Sequence, residues 1–309
     1  MPLAAVLALV ACGGGNPLNF GGTTTPEPEP TDPTAVGEEV EIVGVEVPLV
    51  LKQHLRTASY TPGAPTMRID LRTLDGTPLA ATYQRSPEFD AAGFEAYTVQ
   101  ETRSQRQFLA LFKRGSTVEA GAVADGGQFV NYFGGATFSR MQPFTLPQPE
   151  VPPTGGTNLE PQPTLLATYT GGYVGLLNSG VEVPNSTLSP HRSYRITGDV
   201  ALNADFNADN MAVNGQISNR FNVDKGEEME IHTVYLAVTQ ITASGAFSGL
   251  IKFSPTETRG NYAGLFGGDG AVEAAGATIF NPIAGDSTVW EHGAFVATKC
   301  VAGDPAPCP

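Results

Sequence analysis

The sequence predicts an all-β protein: a soluble, eight-stranded antiparallel up-and-down β-barrel preceded by a small β subdomain. Three observations predict it. Over Tyr194–Val223, Tyr194, Ile196, Gly198, Val200, Leu202, Ala204 and Phe206 alternate with Arg195, Thr197, Asp199, Ala201, Asn203 and Asp205. The alternation breaks at Asn207–Asn210 and restarts as Met211, Val213, Gly215 and Ile217, which reads as a hairpin with one buried and one wet face. Around it, Thr168–Lys299 carries eight strand-like runs with no helical period between them. The composition agrees: 36 Gly and 25 Pro with only 16% charged residues describe a turn-rich β chain.

Charge narrows the function classes. Asp and Glu number 31 against 17 Lys and Arg, a formal net charge of −14 over 309 residues. Nucleic-acid binding rests on neutralising phosphates, so this balance excludes it. An anionic membrane surface also repels the chain, which leaves a covalent or apolar attachment.

The first element is a leader at residues 1–11. Leu3–Val10 is apolar but too short for a hydrocarbon layer of roughly 30 Å. It ends in Leu9-Val10-Ala11-Cys12, which resembles the lipobox of bacterial lipoproteins, although no Lys or Arg precedes the apolar run. The resemblance implies cleavage before Cys12 and acylation, as by palmitate, of its thiol. Gly13, where an inner-membrane retention Asp would stand, points to the outer membrane. With Cys12 lipidated, Cys300 and Cys308 remain to pair across Val301–Pro307 in a terminal loop at 301–309. Closing so short a loop stabilises by roughly 2–3 kcal/mol on the chain-entropy model.

Residues 12–37 hold Pro17, Pro26, Pro28, Pro30 and Pro33 among Thr, Glu and Gly, the composition of an extended tether. Residues 38–141 read as a small β subdomain. Its strands are Val40–Val47, Tyr97–Thr102, Arg106–Lys113, Thr117–Ala124 and Gln128–Arg140, with a start of a helical turn at Gln53–Arg56. Asp125-Gly126 favours a hairpin, because Gly tolerates positive φ. Seven prolines between Gln142 and Thr164 rule out a sheet interior and mark a linker at 142–164.

The barrel at 165–300 follows. Its strands are Thr168–Leu177, Tyr194–Phe206, Met211–Val223, Val234–Gly245, Ala246–Ser254, Arg259–Gly268, Ala271–Pro282 and Ser287–Lys299. Eight antiparallel strands close into a cylinder just filled by side chains, and closure removes exposed edges. Ile196, Val200, Leu202, Phe206, Val213, Ile217, Phe247, Ile251 and Phe253 form the inner face. Arg195, Asp199, Asn203, Asp205, Asn214, Gln216, Arg220, Ser248 and Lys252 form the outer one, which lipid would not tolerate.

Arg259–Phe280 reads RGNYAGLFGGDGAVEAAGATIF and resembles the barrel motif of the transferrin-binding protein B family of surface lipoproteins, at Phe266, Gly267, Ala271, Glu273, Ala275, Gly276 and Phe280. The hairpin Gly198–Ile217 and the closing Gly293-Ala294-Phe295 strand are similar too. The turn Gly268-Asp269-Gly270 is longer than the family's, and Ala275 stands where Gly is usual. The resemblance covers roughly Thr164–Lys299. It implies an eight-stranded barrel on a lipidated stalk, with residues 38–141 as the family's "handle". It assigns no partner, because partner contacts in that family lie in variable loops. Physically, Gly264, Gly267, Gly268, Gly270 and Gly276 relieve Cβ crowding where strands coil and turn. Glu273 is expected to meet solvent or to cap turn amides.

No catalytic constellation is legible. His54, His191, His232 and His292 form no metal spacing, although haem capture by a His with Tyr169, Tyr173 or Tyr262 stays open. Asp205–Asn210 has calcium-loop oxygens but no Gly at position 6, and Gln216 stands where a bidentate Glu is needed, so a polar turn is expected. Ser218 and Ser244 lack a general base, and Glu227-Glu228 reads as a solvated loop. Trp290 is the candidate partner contact, with shielding of the barrel wall or packing on the other subdomain as the alternative.

The expected function is a lipid-anchored bacterial outer-membrane binding protein without catalysis, cofactor or metal, whose loops face an extracellular protein. A haem- or iron-related small-ligand carrier and a structural envelope lipoprotein are the alternatives.

Overall fold

The computed structural model describes residues 46–72, 80–102, 106–127, 132–149, 165–178, 193–283, 289–301, 304 and 308. Two β bodies follow one another. The first begins with a helical turn, α1 (Leu49–Lys52), and continues as β1 (Leu55–Ser59), β2 (Thr66–Leu71), β3 (Ala80–Arg85), β4 (Glu95–Val99), β5 (Phe108–Arg114), β6 (Val118–Ala124) and β7 (Gly134–Arg140). These strands pair antiparallel in sequence order. The sheet curls almost shut, and the His54 amide donates to the Gly134 carbonyl at 3.1 Å beside the meeting ends of β1 and β7.

The second body contains β8 (Leu166–Leu177), β9 (Tyr194–Asp205), β10 (Ala212–Asn222), β12 (Val234–Gln240), β13 (Ala246–Ser254), β14 (Glu257–Gly267), β15 (Glu273–Phe280) and β16 (Glu291–Lys299). A two-residue strand, β11 (Glu227–Glu228), pairs with the end of β10. β16 pairs β8 from Lys299↔Tyr169 to Glu291↔Leu177, and β10 pairs both β9 and β12. The sheet is therefore a closed eight-stranded up-and-down antiparallel barrel, with all eight predicted strands in place.

Three apolar layers hold the bodies together. The barrel interior contains Val200, Leu202, Val213, Ile217 and Ile251 around Phe266. The Phe266 ring lies 5.1 Å from Tyr169, 5.0 Å from Phe206 and 5.1 Å from Phe247, centroid to centroid. The first body has its own interior of Met67, Ile69, Tyr83, Tyr97, Phe108 and Phe112. Between them lies a shared layer. Leu109 and Leu111 of β5, Ala120 and Ala122 of β6 and Phe138 of β7 meet Leu265 of β14, Ala275, Ala277 and Ile279 of β15 and Val296 of β16. Alternation places Phe108, Ala110 and Phe112 in one layer and Leu109 and Leu111 in the next, so β5 is buried on both faces. The many alanines let the two sheets approach closely.

Several expectations need correction. Glu46 and Val47 are not in a strand, and the rest of Val40–Val47 lies outside the described residues, as do 128–131 of Gln128–Arg140. The helical turn is at Leu49–Lys52 rather than Gln53–Arg56, because Gln53 leaves the helix with φ of 40° and the chain then enters β1. Tyr97–Thr102 is displaced: β4 starts at Glu95 and ends at Val99. The strands β1 to β3 were not anticipated. Arg220 faces inward and not outward, because a bulge between Ser218 and Phe221, with Asn219 at φ of 52°, flips the phase of β10.

Candidate functional site

Among the described residues, buried polar side chains lie at the junction of the bodies, inside the barrel, and in the first body, where Arg106 pairs with Asp125 at 2.7 Å. At the junction, Glu273 leads β15 on its outward face. Its carboxylate accepts the Ser116 amide at 3.0 Å, the Thr117 amide at 2.6 Å and the Thr117 hydroxyl at 2.9 Å. Of the two expected environments, solvent and turn amides, the second is the one observed, since Glu273 is buried. Burial works to raise its pKa, and the hydrogen bonds from Ser116 and Thr117 outweigh it, so the carboxyl titrates below its ordinary value.

Arg140, the last residue of β7, donates to the carbonyls of Phe266 at 2.8 Å and Ser244 at 2.7 Å. Residues 142–149 of the predicted linker then lie on the barrel. Phe144 packs against Phe206, and the Thr145 hydroxyl donates to Asp269 at 2.6 Å and accepts the Gly270 amide at 2.9 Å. The remaining linker residues, 150–164, lie outside the described residues.

A second junction cluster centres on His292. Its Nε2 lies 2.9 Å from Gln53 Oε1, its ring packs on Tyr132, and its Nδ1 has no hydrogen-bond partner. His54 stacks edge-on against Phe133, with Nδ1 3.3 Å from the Gly134 carbonyl. Burial, and then the neighbouring His54, lower the His292 pKa to about 3. Burial also lowers that of His54, with Arg72 pushing the same way.

Inside the barrel, Arg220 pairs with Glu291, both fully buried. Arg220 also donates to the Ile231 carbonyl at 2.7 Å and stacks on Phe280, 5.0 Å from its centroid. The other Glu291 oxygen accepts the Tyr173 hydroxyl at 2.7 Å, and that hydroxyl lies 3.3 Å from Thr278 Oγ1. Burial and the Glu291 charge hold the Tyr173 pKa well above its ordinary value. The cluster is an internal strut. It surrounds a buried ion pair with hydrogen bonds, and of the Arg220 nitrogens Nε alone is buried without a partner.

The motif residues take structural posts. Phe266 and Phe280 point into the barrel, Gly267 pairs with Glu273 across β14–β15, and Gly264 faces Gly276. An added Cβ at Gly276 would strike the Phe295 ring. Ala271 has φ of 55° in the turn that Gly268 and Gly270 also shape. Cys300 and Cys308 form a disulfide, and Cys12 lies outside the described residues. Trp290 precedes β16 rather than lying within it, and packs, partly buried, against the shared layer.

Tyr169, Tyr173 and Tyr262 are all inside the barrel, away from His54 and His292 at the junction and from exposed His232. A haem held by those tyrosines with one of these histidines is thereby contradicted; His191 lies outside the described residues. The Asp205 carboxylate accepts the Asn207 amide at 2.9 Å and the side chains of Asn207 and Asn210 at 2.6 and 3.0 Å, which makes it the core of a polar turn. The residues that sequence reasoning missed are Arg220, Glu291 and Gln53. A charge beside the apolar Val289-Trp290 was the available signal for Glu291, whereas Arg220, among Ser218, Asn219 and Asn222, carried none.

No family model matches the chain, and no curated protein matches it. Among solved structures, a transferrin binding protein B from Haemophilus parasuis Hp5 is 14% identical over 82% of this chain and 44% of that one, with a TM-score of 0.42. A structure named as a surface lipoprotein is 16% identical over 80% of this chain and 97% of its own, TM-score 0.36. The complex of HpuA from Kingella denitrificans with human haemoglobin is 12% identical over 91% of this chain and 97% of its own, TM-score 0.34. The chain spans about half the length of the first two transferrin-binding structures, 44% and 53%. Its strand pairing is the architecture that the sequence resemblance implies: a closed eight-stranded barrel preceded by a smaller β body.

Proposed function

We propose that the chain is a lipid-anchored, non-catalytic bacterial surface protein that binds an extracellular protein through the outer surfaces and loops of its two β bodies. The observation that carries this reading is the filling of both interiors. Apolar side chains occupy the barrel and the first body, and a buried ion pair braces the barrel, so recognition falls to the outside. The resemblance of Arg259–Phe280 to the barrel motif of surface lipoproteins supports the same reading, as does the lipobox-like Leu9–Cys12. In this reading residues 1–11 are removed, Cys12 carries the lipid, 12–37 act as a tether, 38–141 are the handle, 142–164 connect it to the barrel at 165–300, and 301–309 are closed by the disulfide.

The test has two parts. Whole cells expressing the chain are labelled with a palmitate analogue and treated with external protease. Label on wild type, its loss in Cys12→Ser and cleavage on intact cells are expected. An unlabelled chain protected from protease would overturn the surface reading. Purified protein is then assayed against haemoglobin and transferrin, the partners in the names of the similar structures, and against haem alone. A new Soret band with haem in place of protein binding would favour a small-ligand carrier.

A further inference from the structure

We propose that the exposed outer wall of the barrel carries a binding groove for a neutral, hydroxyl-rich oligosaccharide. The wall opposite the shared layer is formed by β9, β10 and β12, with the Leu166–Thr168 end of β8 beside them. It bears two adjoining hollows of about 390 and 400 Å³, joined through Asn203 and Asn214. Each is of the size that holds a small ligand. The first is open beside Leu166, Thr168 and Val238, and the second beside Gln216 and Tyr235.

The chemistry of the lining selects the ligand. Asn214 pairs across the ladder with Asn203, and Gln216 sits opposite Tyr235, so carboxamides follow one another along one outward face. A carboxamide presents two donors and one acceptor oxygen, which matches neighbouring sugar hydroxyls that each donate and accept. Asp205 is the one charged side chain in the lining of either hollow, and its oxygens are already held by Asn207 and Asn210. The one charge in the lining is therefore a carboxylate, in a chain of net charge −14, which disfavours an anionic ligand. Tyr235 is 49% exposed and Val238 70%, which leaves an aromatic ring and an apolar ridge for the C–H faces of a pyranose. A protein hot spot would instead need a deep pocket for a desolvated aromatic or Arg anchor. This reading of the wall does not depend on lipid anchoring or on a protein partner.

The full chain is titrated with mannopentaose, cellopentaose and lacto-N-neotetraose, and with the sialylated form of the last. Saturable binding of at least one neutral sugar is expected, with at least tenfold weaker binding in Asn214→Ala and in Tyr235→Ala. Both positions are exposed, and an unchanged melting temperature confirms that the variants fold. Retention of ribonuclease B, which carries neutral mannose chains, but not of its unglycosylated form identifies a protein-linked source; binding of free sugar alone identifies a free one. The proposal is overturned by no binding of any neutral sugar at millimolar concentration, by wild-type binding in both variants, or by retention of the unglycosylated ribonuclease as strong as that of ribonuclease B.

Discussion

Glu273 accepts the Thr117 amide at 2.6 Å and the Thr117 hydroxyl at 2.9 Å, across 156 residues of sequence, and so ties the β5–β6 turn of one β body to a barrel strand of the other. The bond joins the tight turn before β6 to the start of β15, where the motif-bearing turn ends. Removing the carboxylate leaves the Thr117 amide buried without an acceptor and takes the acceptor from the half-buried Ser116 amide. We expect Glu273→Ala to lower stability by about 2–3 kcal/mol, with Glu273→Gln less severe. Urea denaturation measures the loss. Faster hydrogen exchange at the Ser116 and Thr117 amides, ahead of exchange in the barrel core, would locate it at the junction.

The barrel strut predicts a sign that depends on how it is broken. Glu291→Ala alone strands Arg220 in an apolar interior and should cost about 3–5 kcal/mol, as should Arg220→Ala. The double variant Arg220→Met/Glu291→Leu should cost less than either single change, because it removes both charges and refills part of the volume. Measured denaturation free energies that simply add would contradict the coupling.

How much of this was legible follows from which forces write themselves locally. β9, β10 and β12 were readable because each has one wet face, as in β9, where Val200 and Leu202 are buried and Asp199 and Asn203 are exposed, whereas β15 and most of β14 and β16 are buried on both faces and were marked instead by their glycine-rich turn. The first body was harder. β5 is buried on both faces, so FLALF shows no alternation, and Met67, Ile69 and Leu71 of β2 sit between proline-rich and polar turns that mask their period. The inversion at Arg220 came from a bulge, a one-residue offset that leaves no compositional mark. The pairing of Glu273 with Thr117 and of His292 with Gln53 depends on how the bodies dock, which no local pattern encodes.

Gly276 separates crowding from backbone conformation. Its Cβ would meet the Phe295 ring and lie 2.5 Å from the Ala263 carbonyl oxygen, so Gly276→Ala should destabilise by about 1–3 kcal/mol through overpacking. Gly63 has open space around it but φ of +71°, so Gly63→Ala should cost about 1 kcal/mol from backbone strain alone. Thermal denaturation of the two variants distinguishes the causes: replacing Phe295 with Leu should relieve part of the first defect, the Ala263 carbonyl contact remaining, and leave the second unchanged.

The junction histidines predict loss of stability on acidification. His292 has a folded pKa lowered to about 3 by burial and then by His54, while the unfolded chain takes up the proton near 6.5. Its stabilising effect is therefore complete above pH 6.5 and is lost as pH falls, at up to about 1.4 kcal/mol per unit, because only the unfolded state binds the proton. His54, also lowered, by burial first and then Arg72, acts in the same direction. Glu273 titrates below the ordinary 4.5 and adds its own loss only at lower pH, while Glu119, raised by burial, takes up its proton earlier in the folded state and works against the loss, so the histidine contribution is the difference between wild type and His292→Gln over the interval from 6.5 to 5. Over that interval the urea midpoint of the wild type should fall, and it should fall distinctly less in His292→Gln, whose side chain can still face Gln53. An equal slope in both proteins would place the acid sensitivity elsewhere. A slope restored by His292→Gln but not by His54→Gln would assign it to the buried ring with the unpartnered Nδ1.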